Sequence, residues 1–244
     1  MDIGFSTDRG CKRINNEDAF FVMKKDRLFA VADGVGGNRS GEIASRRAVS
    51  EVAKLVEEEG LIKEPIRTFF CRAVAKANEG VYTSSHRFRQ NKGMATTLVL
   101  CHLRGPRLYA ANVGDSRAYV FSAGHLHQIT EDHTYVNELV KAGVLTSAEA
   151  KAHEDKNMIT KAVGVERDLE PDYYEYPLQS DDIVMLCTDG LYGEVEEAEI
   201  AALLSQGKTM SATCQDLIEK AKANGGGDNI TLVLIKVTEE DINE

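Results

Sequence analysis

The sequence predicts an α+β protein, with helices packed on antiparallel sheets, and three observations carry that prediction. Strand patterns and helix patterns come in groups and not in strict alternation. The strands of the middle of the chain are joined by connections of a few residues, too short for a parallel crossover and so restricted to antiparallel pairing. The helical stripes are apolar on one face only, which suits helices lying on a sheet.

Ala19–Met23 and Leu28–Ala32 are short apolar and aromatic runs separated by the charged turn 24–27, a hairpin signal. Two helical stripes follow at i, i+3, i+4 spacing: Ala44, Ala48, Val52, Leu55 and Val56, then Phe70, Val74, Ala77 and Val81. Strand signals resume at Thr96–Leu103, Leu108–Val113, Arg117–Phe121 and Leu126–Ile129, broken by Gly105-Pro106 and Ser122-Ala123-Gly124. These read as one antiparallel meander. Thr134–Ala142 and the stretch opened by the capping box Thr146-Ser147-Ala148-Glu149 read as two short helices in a polar surface insertion. Ile183–Thr188 is a buried strand, Ala198–Leu204 and Ala212–Ala223 are helical, and Ile230–Val237 is a final strand. The terminal Glu239–Glu244 reads as a frayed acidic tail.

With 29 Lys plus Arg against 39 Asp plus Glu, the net charge of −10 excludes nucleic acid or an anionic membrane as a natural partner. Five cysteines, odd in number and never in a C-x-x-C pair, give neither a disulfide framework nor a thiolate zinc site. With no secretory leader and no apolar run near the ~20 residues of a membrane span, the expectation is a cytoplasmic protein of one domain, 1–244.

The acids are not evenly spread through the pattern. Leu28–Ala32 runs into Asp33-Gly34, Ile183–Thr188 into Asp189-Gly190, Leu108–Val113 into Gly114-Asp115, and the last strand begins just after Asp228-Asn229. Any one Asp-Gly is ordinary turn chemistry. Four carboxylates converging at one sheet edge, however, would repel unless cations held them, and all-oxygen ligation selects hard ions such as Mg²⁺ or Mn²⁺. Arg13, five residues ahead of Asp18, supplies a planar donor suited to phosphate oxygens. Carboxylates, two metals and one Arg are what metal-assisted attack of water on a phosphate ester requires.

In order, Arg13-x-x-Asn16-Glu17-Asp18, Ala32-Asp33-Gly34-Val35-Gly36-Gly37, Gly114-Asp115-Ser116-Arg117, Thr188-Asp189-Gly190-Leu191 and Gly227-Asp228-Asn229-Ile230-Thr231 resemble the motifs of the metal-dependent Ser/Thr protein phosphatases, the PPM family or type 2C, in its bacterial single-domain form. The resemblance runs from Ser6 to Val237. It implies a sandwich of two antiparallel sheets flanked by helices on both sides, a four-layer α-β-β-α arrangement. It implies that Asp33 bridges two metals, that the Gly34 carbonyl binds one, that Asp189 and Asp228 complete the other, and that Asp18 acts through coordinated water. Asp115 resembles the ligand of a third, weaker ion shared with Asp189. The segment 131–164, with Asp132-His133, Glu138-Leu139-Val140 and Asn157–Thr160, resembles the flap that contacts protein substrates. The activity implied is hydrolysis of phosphoserine and phosphothreonine by a metal-bridging water, with Arg13 orienting the phosphate; Arg13, Asp33 and Asp189 are the catalytic set. Phosphorylated proteins, a cognate Ser/Thr kinase and a monomeric state go with it. Asn38 stands where the family commonly has a His proposed as the acid for the leaving alkoxide. That departure motivates the alternative of a catalytically weak scaffold with the same fold.

Other matches are weaker. Cys101-x5-Arg107 has tyrosine-phosphatase spacing, but Pro106 removes a loop N–H and a strand follows. Gly114-x-Ser116-x-Ala118 approximates a hydrolase elbow but enters a strand and not a helix. His125-x-His127 reads as a solvated pair on an exposed strand, and Cys187 as a core thiol.

Overall fold

A computed structural model describes residues 1–35, 40–60 and 64–243. Along the chain, β1 (Asp2–Asp8), β2 (Asp18–Met23) and β3 (Leu28–Val35) precede the long helices α1 (Ser40–Glu59) and α2 (Ile66–Arg87). Then come β4 (Ala95–Thr96), β5 (Leu98–Arg104), β6 (Arg107–Val113), β7 (Arg117–Ser122) and β8 (His125–Gln128). The short helices α3 (Tyr135–Lys141) and α4 (Ser147–Ala152) separate these from β9 (Asp172–Pro177), β10 (Ile183–Cys187), α5 (Asp189–Tyr192), α6 (Glu197–Leu204), α7 (Met210–Asn224), β11 (Ile230–Lys236) and α8 (Glu239–Asn243).

The strands form two antiparallel sheets, ordered β1-β11-β10-β7-β8 and β2-β3-β5-β6-β9, with β4 paired to β3. Side chains alternate faces along each strand, and the alternation sorts the core into three layers. Leu28, Ala30 and Ala32 of β3 meet Ala48, Val52, Phe70 and Val74 of α1 and α2. Met185 and Cys187 of β10 and Leu232 and Leu234 of β11 meet Ile200, Cys214 and Leu217 of α6 and α7. Phe29, Val31, Val99, Val184, Leu186 and Val233 fill the space between the sheets. The result is the four-layer α-β-β-α sandwich.

Three expectations need correction. The central strands are not one meander: β5 and β6 pair in one sheet, β7 and β8 in the other, and β6 and β7 do not pair. Gly114-Asp115-Ser116 therefore crosses between sheets, a step of ~10 Å within reach of three extended residues; Gly114 turns the chain at φ +100°. Two edge strands, β1 and β9, escaped the pattern because their exposed faces break the apolar alternation. The terminal segment is not frayed: α8 carries Asp241, 5% exposed, whose carboxylate accepts from Thr238 N–H at 2.9 Å and pairs with the Met1 amine at 2.9 Å.

One buried titratable group lies far from the strand ends just described. His102 of β5 is 5% exposed, and burial lowers its pKa to about 4. A depressed imidazole contributes stability that is present above its unfolded value of 6.5 and lost as pH falls through about 4. The parent is expected to lose roughly 3 kcal/mol of urea stability across that window relative to His102→Gln. A gap between the two that does not change with pH would count against this.

Candidate metal and phosphate site

The parity that buries apolar residues between the sheets continues past the end of the core and turns polar. Phe29 and Val31 are followed on the same face by Asp33, and Phe20 and Val22 are preceded by Asp18. Thr97, Thr188 and Thr231 extend the same rows of β5, β10 and β11 and are fully buried. Asp18 and Asp33 are directly paired across β2 and β3, a like-charge placement that costs stability. Asp189 opens α5, and Asp115 sits in the crossover between sheets, 5% exposed.

Hydrogen bonds lock the frame. Thr188 Oγ1 donates to Asp18 Oδ2 at 2.9 Å, and Asp33 N–H donates to Thr97 Oγ1 at 2.8 Å. Thr97 Oγ1 lies 2.6 Å from Ser116 Oγ. Asn229 holds the loop of Arg13: its side chain accepts from Glu17 N–H at 2.7 Å and donates to the carbonyls of Arg9 and Asn15, both at 2.9 Å. Arg13 Nη2 donates to Asp228 Oδ2 at 2.5 Å. Two glycines are dictated by close approach: a Cβ on Gly34 would meet Gly41 O at 2.1 Å, and one on Gly190 would meet Asn229 O at 2.0 Å.

The electrostatics are those of unneutralised acid. Burial first, then repulsion from the other acids, pushes Asp33 well above the usual carboxylate range. Burial raises Asp18 and Asp115 each to about 7 and Asp189 to about 6. Asp33 shares a hydrogen bond with Asp189. Arg13 is held more firmly protonated by its bond to Asp228, with smaller contributions from Asp33 and Asp189. Asp33 thus feels the other four predicted acids, and Arg13 feels Asp228, Asp33 and Asp189.

This set fits a hard divalent cation. Asp18 Oδ1 and Asp189 Oδ1 are buried oxygens with no hydrogen-bond partner among the described residues, an arrangement costly unless something else satisfies them. No three acids, imidazoles or thiols among the described residues are closed up into a chelate; Asp33 is instead hydrogen-bonded to Asp189, Asp228 to Arg13 and Asp18 to Thr188. Oxygen donors alone, at the mouth of a rigid frame, match Mg²⁺ or Mn²⁺ chemistry.

Residues 11–226 match a family model described as Protein phosphatase 2C. The chain belongs to this family. It is 36% identical to the serine/threonine phosphatase stp of Listeria innocua, over 97% of this chain and 96% of that one. It is 35% identical to the protein phosphatase PhpP of Streptococcus pneumoniae, over 99% of each. Among solved structures it resembles the S. agalactiae serine/threonine phosphatase, at TM-score 0.90 and 37% identity, over 96% of this chain and 98% of that one. It also resembles the catalytic domain of the phosphatase PstP in complex with two manganese ions, at TM-score 0.86 and 33% identity, over 97% and 98%.

In this type 2C phosphatase several residues that shape the site carried no sequence signal. Thr97 looked like an ordinary strand residue, and Thr188 and Thr231, although part of the quoted motifs, had no role assigned; the paired sheets show that Thr97 bonds the Asp33 backbone and that Thr188 and Thr231 bond Asp18. Tyr192 donates to the Asp115 carbonyl at 2.8 Å; its place three residues after Asp189 was the available clue. Asn38, with Gly36 and Gly37, lies outside the described residues. The competing motifs fall away. Cys101 is a fully buried strand residue whose thiol burial raises, and Arg107 is exposed beside Glu175. Ser116 enters β7, and His125 and His127 are exposed on edge strand β8.

Proposed function

We propose that this type 2C chain hydrolyses phosphoserine and phosphothreonine in proteins with two divalent ions, Mn²⁺ or Mg²⁺, held by Asp33, the Gly34 carbonyl, Asp189 and Asp228. Asp18 would contribute through coordinated water and Asp115 would serve a third ion. The observation that carries the reading is the convergence of buried, partnerless carboxylate oxygens beside Arg13. When bound, the ions supply a water of lowered pKa and neutralise phosphate charge. Arg13 binds the phosphoryl oxygens through its planar fork and orients phosphorus for in-line attack. Thr97 fixes the backbone of Asp33 and Thr188 the carboxylate of Asp18, so little reorganisation of this frame accompanies the reaction.

The reading takes residues 1–244 as one catalytic domain with a flap at 131–164. The flap bears α3 and α4, which leave most of their side chains exposed to a partner. A cognate Ser/Thr kinase, a monomeric state and a cytoplasmic setting complete it. Among the described residues no helix is long and apolar enough to cross a membrane. Asn38 motivates the scaffold alternative, and the retained set of mutually interacting acids around Asp33 argues against it.

The test is release of phosphate from matched phosphoserine, phosphothreonine and phosphotyrosine peptides, with and without Mn²⁺ after treatment with a chelator. Metal-restored turnover of the first two, with the third slow, is expected. Turnover that survives chelation would overturn the proposal.

A further inference from the structure

A bracket of side chains outside the carboxylate set holds the Asp115 turn. Tyr192, the last residue of α5, donates its hydroxyl to the Asp115 carbonyl at 2.8 Å. Its ring is held in turn, because the Arg117 guanidinium lies 3.6 Å from the ring centroid. Arg117 grips Asp132 with Nε at 2.9 Å and Nη2 at 2.6 Å, and donates from Nη1 to Tyr119 OH at 2.8 Å. A guanidinium over an aromatic face is strongest when desolvated, and Arg117 is largely buried, its side chain 19% exposed. A bidentate carboxylate fixes the guanidinium plane as well as its position.

The helix that needs this support is short. α5 spans only Asp189–Tyr192 and has no side-chain N-cap bond; one turn has little rigidity of its own. Asp189 opens it and Tyr192 closes it, so the Tyr192 hydroxyl links the peptide of Asp115 to the element that carries Asp189. Burial keeps the phenol well above its ordinary range, so it remains a donor.

We propose that Tyr192 is a positioning residue: its hydroxyl sets the separation of the Asp115 and Asp189 carboxylates, and Arg117, clamped to Asp132, holds the ring that carries it. This rests on the reading of Asp115 and Asp189 as ligands of a common, weaker ion. Loss of the hydroxyl leaves the ring and its guanidinium in place but frees the Asp115 turn to move relative to α5. The ion that uses both carboxylates is then weakened, while ions held by Asp33 and Asp228 are not.

Mn²⁺ alone is titrated into the chelator-treated protein, with free Mn²⁺ followed by electron paramagnetic resonance, for the parent, Tyr192→Phe and Asp115→Asn. The parent is expected to bind in a stronger and a weaker step. Tyr192→Phe keeps the stronger step and moves the midpoint of the weaker one upward about two- to tenfold, the worth of one net hydrogen bond. Asp115→Asn loses the weaker step. A Tyr192→Phe curve superimposable on the parent, or one shifted equally in both steps, overturns the proposal while Asp115 stands as a ligand. An Asp115→Asn protein that keeps every step removes the ligand reading and the proposal with it. Thermal unfolding in chelator accompanies the titration, and a Tyr192→Phe protein of parental stability with the shifted weaker step is the supporting outcome.

Discussion

Asp33→Asn is expected to lower kcat/KM on a phosphopeptide by at least about a thousandfold, or ~4 kcal/mol of barrier, while making the metal-free protein more stable. The activity loss follows from the place of Asp33, facing Asp18 across β2 and β3 and hydrogen-bonded to Asp189. An amide at that position keeps the shape but removes the charge that would hold a cation against phosphate. The gain in stability has a definite sign. Asp33 has its pKa raised by burial and by Asp18, Asp189, Asp115 and Asp228. A carboxyl raised in this way contributes stability present below its unfolded pKa and lost as pH rises through its folded value. Asn carries no such loss, so at alkaline pH in chelator the variant should exceed the parent by about 0.5–2 kcal/mol, or ~2–6 °C in Tm. Saturating Mn²⁺ should reverse the order, because only the parent gains the binding energy of the full ligand set. Thermal unfolding with and without metal, beside steady-state kinetics, checks both halves. A variant that kept parental turnover would remove Asp33 from the mechanism.

Arg13→Ala comes next in size, with an expected loss of about a hundredfold in kcat/KM, the scale of one lost preorganised donor to a charged group. Arg13→Lys should recover no more than about tenfold of this, because an ammonium restores charge but not the planar fork. The pairing of Arg13 with Asp228 at 2.5 Å separates a phosphate role from a metal role. With Asp228 holding an ion as proposed, the guanidinium and the cation would compete for the same carboxylate, so Arg13→Ala should bind Mn²⁺ at least as tightly as the parent. The Arg13 side chain is 54% exposed, so its removal should cost little fold stability. A variant that lost activity only because it no longer bound metal would assign Arg13 to the frame and not to the substrate.

The readable parts of the fold were those in which a single chain segment carries its own instruction. The apolar stripes of α1 and α2 and the Thr146/Glu149 capping box appear where periodicity placed them. The central meander misled because turn length alone does not say which sheet the next strand joins. Three residues are enough either to fold back or to cross, and Gly114 takes the crossing. β9 and β1 were illegible because edge strands need no apolar alternation. The terminal acids read as solvated because charge is usually exposed, yet Asp241 is held inside by Thr238 and the Met1 amine.

By itself, the sequence determined the chemistry available to this protein. An Asp follows a buried run at Asp33 and Asp189, a glycine stands beside each, and Arg13 lies upstream; these identities point to hard-cation, phosphate-directed chemistry before any contact is known. The tertiary structure decided what no local pattern contains: that acids from β2, α5, the sheet crossover and the loop before β11 all act on Asp33 of β3, and that Thr188 bonds the Asp18 carboxylate while Thr97 and Tyr192 fix the backbone of Asp33 and Asp115. The reason is physical. Residue type and alternation fix what a side chain can do and which face it takes, whereas spacing between distant elements is set only when two sheets pack and their polar ends must satisfy one another.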